Sequence, residues 1–455
     1  MSYKLSIVKN KMMKRIINIL ILLCCIAFLS SCGNSTEERS RVLKIYNWAD
    51  YIDEDVLAEF PDWYKQQTGE DLRIIYQVFD INEIMLTKIE RGHEDFDVVC
   101  PSEYIIERML RKDLLLPIDR NFGHTPDYIP NVSPYIRHEL NKTSQPERQT
   151  EDYAVPYMWG TAGILFNKKF ITAEEAGTWD ILWDSKNRGK ILMKDSYRDA
   201  YGTAIIYAHA RELADSTVTV EQLMNDNSPQ AIALAEQRLK EMKPNIAGWE
   251  ADFGKEMMTK NKAWINFTWS GDAVWAIEEA RAVGVDLAYE VPREGSNIWY
   301  DGWVIPKYAG NPKAAAYFIN YLCRPDIALR NMDAIGYVSA VATPEIMEAK
   351  RDTAIATRSD LSYFFGEGTG ADSLQINPVQ YPDRKVVERC AMIRDFGNRT
   401  ELVLEMWSRV KGDNLNTGIV LLIFSVFGVL FVWLVYGKIR KYRQKQRRHR
   451  RRRRR

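Results

Sequence analysis

Apolar and polar positions follow one another along the body of the chain in blocks that favour an α/β fold. Short apolar runs typical of strands occur at residues 42–48, 72–79 and 96–100, and the stretches between them carry apolar positions at helical spacing. Strands that alternate with helices usually form a parallel sheet with helices on both faces. Pro61, near the middle of the first helical stretch, predicts a kink or break in that helix.

A second α/β series follows a long extended segment at residues 153–170. Its strand-like runs lie at residues 191–193, 263–269 and 287–291. A further extended segment, residues 297–306, precedes two more helical stretches. We therefore expect the chain to cross twice between two halves of one body.

The first residues of the chain have the pattern of a secretory leader. A basic stretch precedes an apolar run at residues 16–28, which has the length of a signal-peptide core and is short for a membrane span. The tetrapeptide at residues 29–32, Leu-Ser-Ser-Cys, resembles a bacterial lipoprotein cleavage box, so Cys32 is expected to become the lipidated first residue. The alternative is a signal anchor that is not cleaved.

The other end of the chain has the pattern of a membrane span. Residues 417–436 carry no charge and, at about 1.5 Å per residue, are long enough for a bilayer core of roughly 30 Å. A basic run follows at once, which predicts a cytoplasmic tail and a body on the opposite face of the membrane. The arginines at residues 450–455 could also suggest nucleic-acid binding, but their place beside a span favours contact with anionic lipid.

Charge is strongly separated along the chain, although its formal net value is only +1. Both ends are basic and free of Asp and Glu, so the body between them is strongly acidic. An acidic body favours cationic ligands and repels nucleic acid, which we therefore exclude as a partner. The 6 Cys and 5 His residues show neither a disulfide framework nor a metal-ligand spacing, so no metal site is expected.

Acidic and aromatic side chains recur where strands end and helices begin. In open α/β sheets these loops lie at the carboxyl ends of the strands, where ligands bind. A linear polyamine needs this combination, because carboxylates bind its ammonium groups and aromatic rings line its methylene chain. The alternative for each single residue is a place in the core or on a solvated surface. The candidates are Trp48, Asp50, Tyr51, Ser102, Tyr104, Asp195, Asp199, Trp269, Asp272, Trp299, Asp301 and Tyr337.

These segments resemble one family, the substrate-binding proteins of spermidine/putrescine ABC importers. The resemblance extends from about Val42 to about Asp395 and therefore covers nearly the whole body. Its most specific pieces are residues 46–51 (YNWADY), 97–104 (DVVCPSEY), 155–160 (VPYMWG), 269–272 (WSGD) and 299–302 (WYDG), with further matches at residues 319–325 and 335–337.

Transferred to this chain, the resemblance implies a ligand slot lined by rings and closed by carboxylates. Three features bear on the preferred amine: Ala49 replaces a frequent Ser or Thr, Ser196 replaces an acid of some spermidine binders, and the WSGD motif is similar to that of putrescine binders. The implied lining comprises Trp48, Tyr51, Tyr104, Trp269 and Trp299, the implied ammonium-binding carboxylates are Asp50, Asp199, Asp272 and Asp301, and Ser102 and Tyr337 add polar contacts.

The resemblance also implies a two-lobed type II periplasmic-binding-protein fold of the α/β class, in which a hinge closes an inter-lobe cleft over the ligand. The implied partners are a polyamine, a membrane permease driven by an ATPase, and the membrane at the periplasmic face of the bacterial inner membrane. No cofactor and no enzymatic role are expected, because the sequence contains neither a phosphate-binding Gly-rich loop with its Lys nor a nucleophile–base arrangement.

A division of the chain follows from the two crossings and the two ends. We expect a signal peptide at residues 1–31, a tether at 32–41, lobe 1 at 42–155 and 301–345, lobe 2 at 156–300, a C-terminal part packing on lobe 2 at 346–412, a transmembrane helix at 417–436 and a basic cytoplasmic tail at 437–455. Three alternative functions stay open: a binder of another organic cation or a metal, a membrane-tethered polyamine sensor or regulator, and an extracytoplasmic enzyme acting on an amine.

Overall fold

The computed structural model describes residues 39–251, 253–412, 425–427 and 433. The predicted signal peptide, Cys32 and the basic tail lie outside these residues, as does most of the predicted span at 417–436. Among the described residues, no helix combines the length and the apolar character needed to cross a membrane. The C-terminal transmembrane helix therefore receives no support from the described structure and stays a prediction from the sequence.

Lobe 1 is built on a short parallel sheet with helices packed against it. The central strand β1 pairs in parallel with β2 on one side and with β3 on the other. The first part of lobe 1 comprises β1 (Val42–Trp48), α1 (Glu54–Thr68), β2 (Arg73–Phe79), α2 (Asn82–Glu90), β3 (Val98–Val99), α3 (Glu103–Arg111), β4 (Leu115–Leu116) and α4 (Pro134–Asn141).

A long buried strand, β5 (Ala154–Asn167), carries the chain into lobe 2. There β6 pairs in parallel with both β7 and β8. Lobe 2 comprises α5 (Ala173–Ala176), α6 (Asp180–Trp183), β6 (Ile191–Lys194), α7 (Tyr197–Ala208), α8 (Ala210–Ala214), α9 (Val220–Asn225), α10 (Pro229–Met242), β7 (Ile246–Glu250), α11 (Gly254–Thr259), β8 (Ile265–Trp269), α12 (Ser270–Ala282) and β9 (Leu287–Glu290).

The second crossing is β10 (Ile298–Pro306), which is buried along its whole length and pairs antiparallel with β5. β10 also pairs with β3 of lobe 1, and β5 pairs with β8 of lobe 2. The described strands thereby join in the order β2-β1-β3-β10-β5-β8-β6-β7. The two extended segments of the sequence are thus neighbours in the centre of the molecule.

The remaining elements return to lobe 1 and then pass over to lobe 2. α13 and α14 pack against α1 of lobe 1, and the short strand β11 pairs with β5. These elements are α13 (Pro312–Leu322), α14 (Pro325–Ile335), β11 (Val338–Ser339), α15 (Pro344–Lys350), α16 (Ser362–Phe365), α17 (Arg384–Val387) and α18 (Thr400–Gly412).

The two ends of the described body are attached to different lobes. At the first end, the Arg39 guanidinium binds Asp95 and Asp97 of lobe 1 at 2.7 and 2.9 Å. At the other end, α18 lies on lobe 2, where Arg409 pairs with Glu236 of α10. The predicted domain boundaries, including the assignment of all of residues 346–412 to lobe 2, stay predictions.

Two local expectations were wrong. The sheet is mixed rather than parallel throughout, because both crossing strands run antiparallel to their neighbours. The helix α1 continues through Pro61 without a break. A proline inside a helix costs about 3 kcal/mol, and here the fully buried Phe60 packs its ring 5.1 Å from Phe318, which helps to offset that cost.

Candidate functional site

The sequence candidates lie at strand ends and helix starts on both sides of the crossing strands. In lobe 1, Trp48 ends β1 and Ser102 precedes α3. In lobe 2, Asp199 lies in the first turn of α7 and Asp272 in the first turn of α12. Their side chains therefore start from elements that converge on β5 and β10.

Asp301 on β10 is the central acid of the candidate site. Its side chain is buried, and its Oδ2 accepts a 2.8 Å hydrogen bond from the Tyr51 hydroxyl. The β5–β10 register shifts between Asp301 and Gly302, which is a local irregularity of the kind that redirects side chains beside binding sites. Ser102 lies opposite Asp301 in an isolated bridge. Asp301 Oδ1 has no hydrogen-bond partner among the described residues.

Aromatic rings surround this acid. The Tyr337 ring packs edge-on against Tyr51 at 5.3 Å and against Trp299 at 5.5 Å between ring centroids. Close packing here depends on glycine, because a Cβ atom at Gly160 would come within 2.7 Å of the Trp299 ring, and one at Gly271 would enter the Tyr337 ring. The structure thus links Trp299 and Tyr337 in one aromatic cluster with Tyr51, whose hydroxyl binds Asp301.

Asp199 forms a second buried acidic position in lobe 2. Its Oδ1 accepts a hydrogen bond of 2.9 Å from the Asn297 side chain, and its Oδ2 accepts one of 3.3 Å from the Trp269 indole. Ser196 caps α7 by accepting from the Asp199 backbone N–H. Because Asn297 immediately precedes β10, this hydrogen bond attaches Asp199 to the crossing strand that carries Asp301.

Asp272 has different surroundings. Lys194, at the end of β6, places its ammonium group 2.7 Å from Asp272 Oδ2, and the Lys255 ammonium lies 3.4 Å from Oδ1. The Tyr337 hydroxyl also donates to Oδ1 at 3.0 Å. Tyr337 thus links Asp272 to the aromatic cluster around Asp301.

The acids differ in protonation because they differ in neighbours. Burial raises the pKa of Asp301 to about 6, although the neighbouring Ser102 and Tyr51 hydroxyls oppose the rise. Burial likewise raises the pKa of Asp199. Burial also acts to raise the pKa of Asp272, but the adjacent lysine charges outweigh it and the pKa is lowered. Among the described residues, Asp301 and Asp199 are thus buried carboxyl groups without a Lys, Arg or His side chain in direct contact.

Four candidates lie outside this contact network. One is Asp195, whose carboxylate accepts from the Trp407 indole at 3.2 Å and pairs with Lys411, both on α18. Trp48 is half-buried and packs against Phe79 at 4.6 Å between ring centroids. Asp50 is exposed at the turn after β1 with a φ of 51°. Tyr104 is buried and accepts from Asn82, whose side chain also donates to Ser102. Asn82 therefore connects Tyr104 indirectly to the site, whereas Asp50 makes no such link among the described contacts.

A second set of polar residues, not predicted from the sequence, lies where the lobes meet. Glu83 of lobe 1 accepts hydrogen bonds from Tyr104 at 3.1 Å and from Tyr197 of lobe 2 at 2.8 Å. The Arg198 guanidinium lies 4.2 Å from the ring centroids of Tyr104 and Phe396. Glu83 opens a helix directly after a strand, as the predicted acids do, so the same strand-end signal could have identified it.

Comparison with known proteins decides the family. Residues 62–357 match the family model for bacterial extracellular solute-binding proteins. The chain belongs to this family. The family resemblance stated from the sequence motifs is thereby confirmed, and this solute-binding protein has the two-lobed α/β fold that the resemblance implied.

Similar proteins are named for polyamines. The solute-binding protein is 28% identical over 374 residues to the spermidine/putrescine-binding periplasmic protein of Salmonella typhimurium, covering 81% of this chain and 91% of that protein. It is 29% identical over 334 residues to the putrescine-binding periplasmic protein PotF of Escherichia coli, covering 71% and 84%. A solved structure described as a spermidine/putrescine ABC transporter from Listeria monocytogenes is 29% identical with a TM-score of 0.64, covering 82% and 99%.

Proposed function

We propose that this solute-binding protein captures a polyamine, putrescine or spermidine, between its lobes as the extracytoplasmic component of an ABC importer. The observation that carries the proposal is Asp301, a buried carboxyl group with one oxygen unpartnered among the described residues and the other bound by Tyr51 of the aromatic cluster. A ligand ammonium group satisfies both needs at once, because it donates hydrogen bonds to the carboxylate and is attracted to ring faces.

The charges of the other residues support the same ligand class. Among the described residues, neither Asp301 nor Asp199 forms an ion pair with a Lys, Arg or His side chain; their hydrogen-bond donors are hydroxyl, amide and indole groups. A linear amine with separated ammonium groups matches two acids joined by apolar rings. The names of the similar proteins agree with this chemistry.

Calorimetric titration of the full-length chain with putrescine and spermidine tests the proposal. We expect saturable binding of at least one amine with 1:1 stoichiometry. Chloride salts of monovalent metal ions serve as the control for nonspecific ionic effects, and we expect no saturable heat from them. Folded protein that gives no heat with either amine contradicts the proposed function.

We further propose that ligand binding stabilises the closed arrangement of the lobes and that this form docks on a permease driven by an ATPase. The hydrogen bond from Tyr197 of lobe 2 to Glu83 of lobe 1 supports closure, because it joins the two lobes beside the site. Reconstituted uptake with the permease tests the partner. Stimulation of its ATPase by protein plus amine, but not by protein alone, is the expected result.

Attachment to the periplasmic face of the membrane is a proposal from the sequence patterns at both ends. Cys32 would carry lipid, and residues 417–436 would span the bilayer with the basic tail in the cytoplasm. Incorporation of labelled fatty acid that is lost in Cys32→Ser tests the first anchor. Retained amine uptake after deletion of residues 416–455 would argue against the alternative role as a polyamine sensor or regulator.

A further inference from the structure

Lys194 places a protein ammonium group inside the candidate ligand site. Its side chain is only 1% exposed. The ammonium lies 4.6 Å from the centroid of the Trp269 ring, 2.7 Å from Asp272 and 3.3 Å from Glu250, and it donates to the Ala251 carbonyl at 2.5 Å. Three acceptors and one ring face thus satisfy the three N–H donors of this lysine.

The Lys194 ammonium group thus makes the contacts that a polyamine ammonium group would make with the Trp269 ring and the Asp272 carboxylate. The other oxygen of Asp272 is also occupied, because it accepts from the Tyr337 hydroxyl at 3.0 Å and faces Lys255 at 3.4 Å. A ligand cation that approached Asp272 would meet two lysine charges. Repulsion between like charges disfavours binding of a further ammonium group there.

Asp301 and Asp199 differ from Asp272 in this respect. Both are buried, and their described side-chain contacts are hydroxyl, amide and indole groups rather than ammonium groups. They can therefore each accept one ligand cation without displacing a protein cation. Glu83 already accepts from two tyrosine hydroxyls where the lobes meet.

We propose that Lys194 is a specificity-determining residue that fills the ammonium position at Trp269 and Asp272, so that the protein selects linear amines with two cationic groups over amines with three. This inference rests on the proposed function and goes beyond it. It names the charge of the ligand rather than only its class, and it removes Asp272 from the ligand-binding carboxylates.

A matched pair of ligands tests the inference on the full-length chain. Spermidine and 1,8-diaminooctane have similar length and differ by the central ammonium group. We expect the wild-type protein to bind spermidine no more than about threefold more tightly than the diamine. In Lys194→Met, Asp272 and the Trp269 ring become available, and we expect the ratio of spermidine to diamine affinity to rise at least tenfold, which is the order of one charge-assisted hydrogen bond.

Two further variants make the result specific. Lys190→Met removes a lysine that lies 5.2 Å from the Trp264 ring, away from Asp272, and should leave the ratio unchanged. The double variant Lys194→Met/Asp272→Asn removes the charges of Lys194 and Asp272 together, while Glu250 keeps its hydrogen bonds from the Gly254 N–H and the Asn266 side chain, and it should retain the fold and the wild-type ratio. If the single variant unfolds because Asp272 and Glu250 lose their counter-ion, the double variant decides the test.

The outcomes separate this inference from the proposed function. Wild-type protein that binds no amine contradicts the proposed function. Wild-type protein that binds amines but strongly prefers spermidine over 1,8-diaminooctane overturns only the inference about Lys194. The same holds if Lys194→Met leaves the ratio unchanged, or if the double variant loses amine affinity tenfold or more, because Asp272 would then bind the ligand directly.

Discussion

At the scale of single residues, the site is defined by which acids already have a cationic partner. Asp272 has lysine neighbours, whereas Asp301 has a tyrosine hydroxyl on one oxygen and no described partner on the other. Burial without a counter-ion destabilises the charged form of a carboxyl group relative to its protonated form. A bound cation removes that penalty, so such a residue gains more from ligand binding than an acid that is already paired.

The first prediction concerns Asp301→Asn. We expect this variant to fold but to bind putrescine more weakly by about 1.5–3 kcal/mol, because a hydrogen bond to a charged group is lost. Calorimetry measures the change. Asp286→Asn, which removes an exposed acid paired with Lys168, is the matched control and should bind as the wild type does. Equal affinities of Asp301→Asn and wild type would exclude Asp301 as a ligand contact.

The second prediction concerns pH. Because the pKa of Asp301 is raised to about 6 in the ligand-free protein, protons compete with the amine below that pH. We expect affinity to fall about fivefold between pH 6 and pH 5, because about half of the Asp301 carboxyl groups are already protonated at pH 6 while the amine itself stays protonated. Titration across pH 5–8 measures this dependence. The slope should flatten in Asp301→Asn, and an unchanged slope in that variant would assign the dependence to another group.

The raised pKa of Asp301 affects folding stability in the opposite direction from amine affinity as the pH changes. The folded ligand-free protein holds the Asp301 proton more tightly than the unfolded chain, in which an Asp titrates near about 4. The contribution of this group is therefore present below the unfolded pKa and is lost as the pH rises through about 6. Saturating amine should reduce this loss, because it binds the ionised carboxylate.

From the sequence, it could be predicted that these residues lie at strand ends, but not which partners each of them has. Tyr51, Asp301, Trp299 and Tyr337 do meet, as expected for residues delivered to one edge by several elements. The lysine partner of Asp272 was not predictable in the same way. Lys194 is one of many Lys residues in the sequence, and only the parallel pairing of β6 with β8 brings its ammonium onto the WSGD segment.

At the scale of elements, the paired crossing strands hold the site in register. β5 is buried along its whole length, and Gly160 on this strand lies under the Trp299 ring of β10. Alternating apolar runs predicted where strands occur, but the antiparallel direction of the crossings depends on contacts between residues far apart in the sequence. The uninterrupted α1 helix shows the same limit, since packing on α13 overrides the local effect of Pro61.

The third prediction concerns Gly160→Ala. The added methyl group would lie 2.7 Å from the Trp299 ring, so that ring must move. We expect a loss of about 1–3 kcal/mol in the free energy of unfolding, as is typical of an overpacked core, together with weaker amine binding. Chemical denaturation and calorimetry measure the two effects. Gly412→Ala, where no atom of the described residues lies within 4 Å, should change neither.

At the scale of the whole molecule, contact between the lobes links binding to closure. The Tyr197–Glu83 hydrogen bond joins lobe 2 to lobe 1, and Arg394 adds an ion pair with Glu107 of α3 at 2.8 Å. Contacts of this kind form only when the lobes approach one another. They should therefore affect how long a ligand stays bound more than how fast it arrives.

The fourth prediction concerns Tyr197→Phe. Removal of the hydroxyl deletes one inter-lobe hydrogen bond and should raise the amine dissociation rate about two- to tenfold, equivalent to about 0.5–1.5 kcal/mol. Stopped-flow displacement measures this rate. Tyr201→Phe deletes a hydrogen bond to Asp226 within lobe 2 and should leave the rate unchanged. An equal effect of both variants would show that the contact between the lobes does not retain the ligand.

The two ends of the described body lie on different lobes, which has a mechanical consequence. Arg39 binds lobe 1 at one end, and α18, which ends at Gly412, lies on lobe 2 at the other. Rotation of one lobe relative to the other about the crossing strands changes the distance between Arg39 and the end of α18. A force or restraint applied at these two points would therefore favour or oppose rotation of the lobes. The distance between the two points would report whether the lobes are closed.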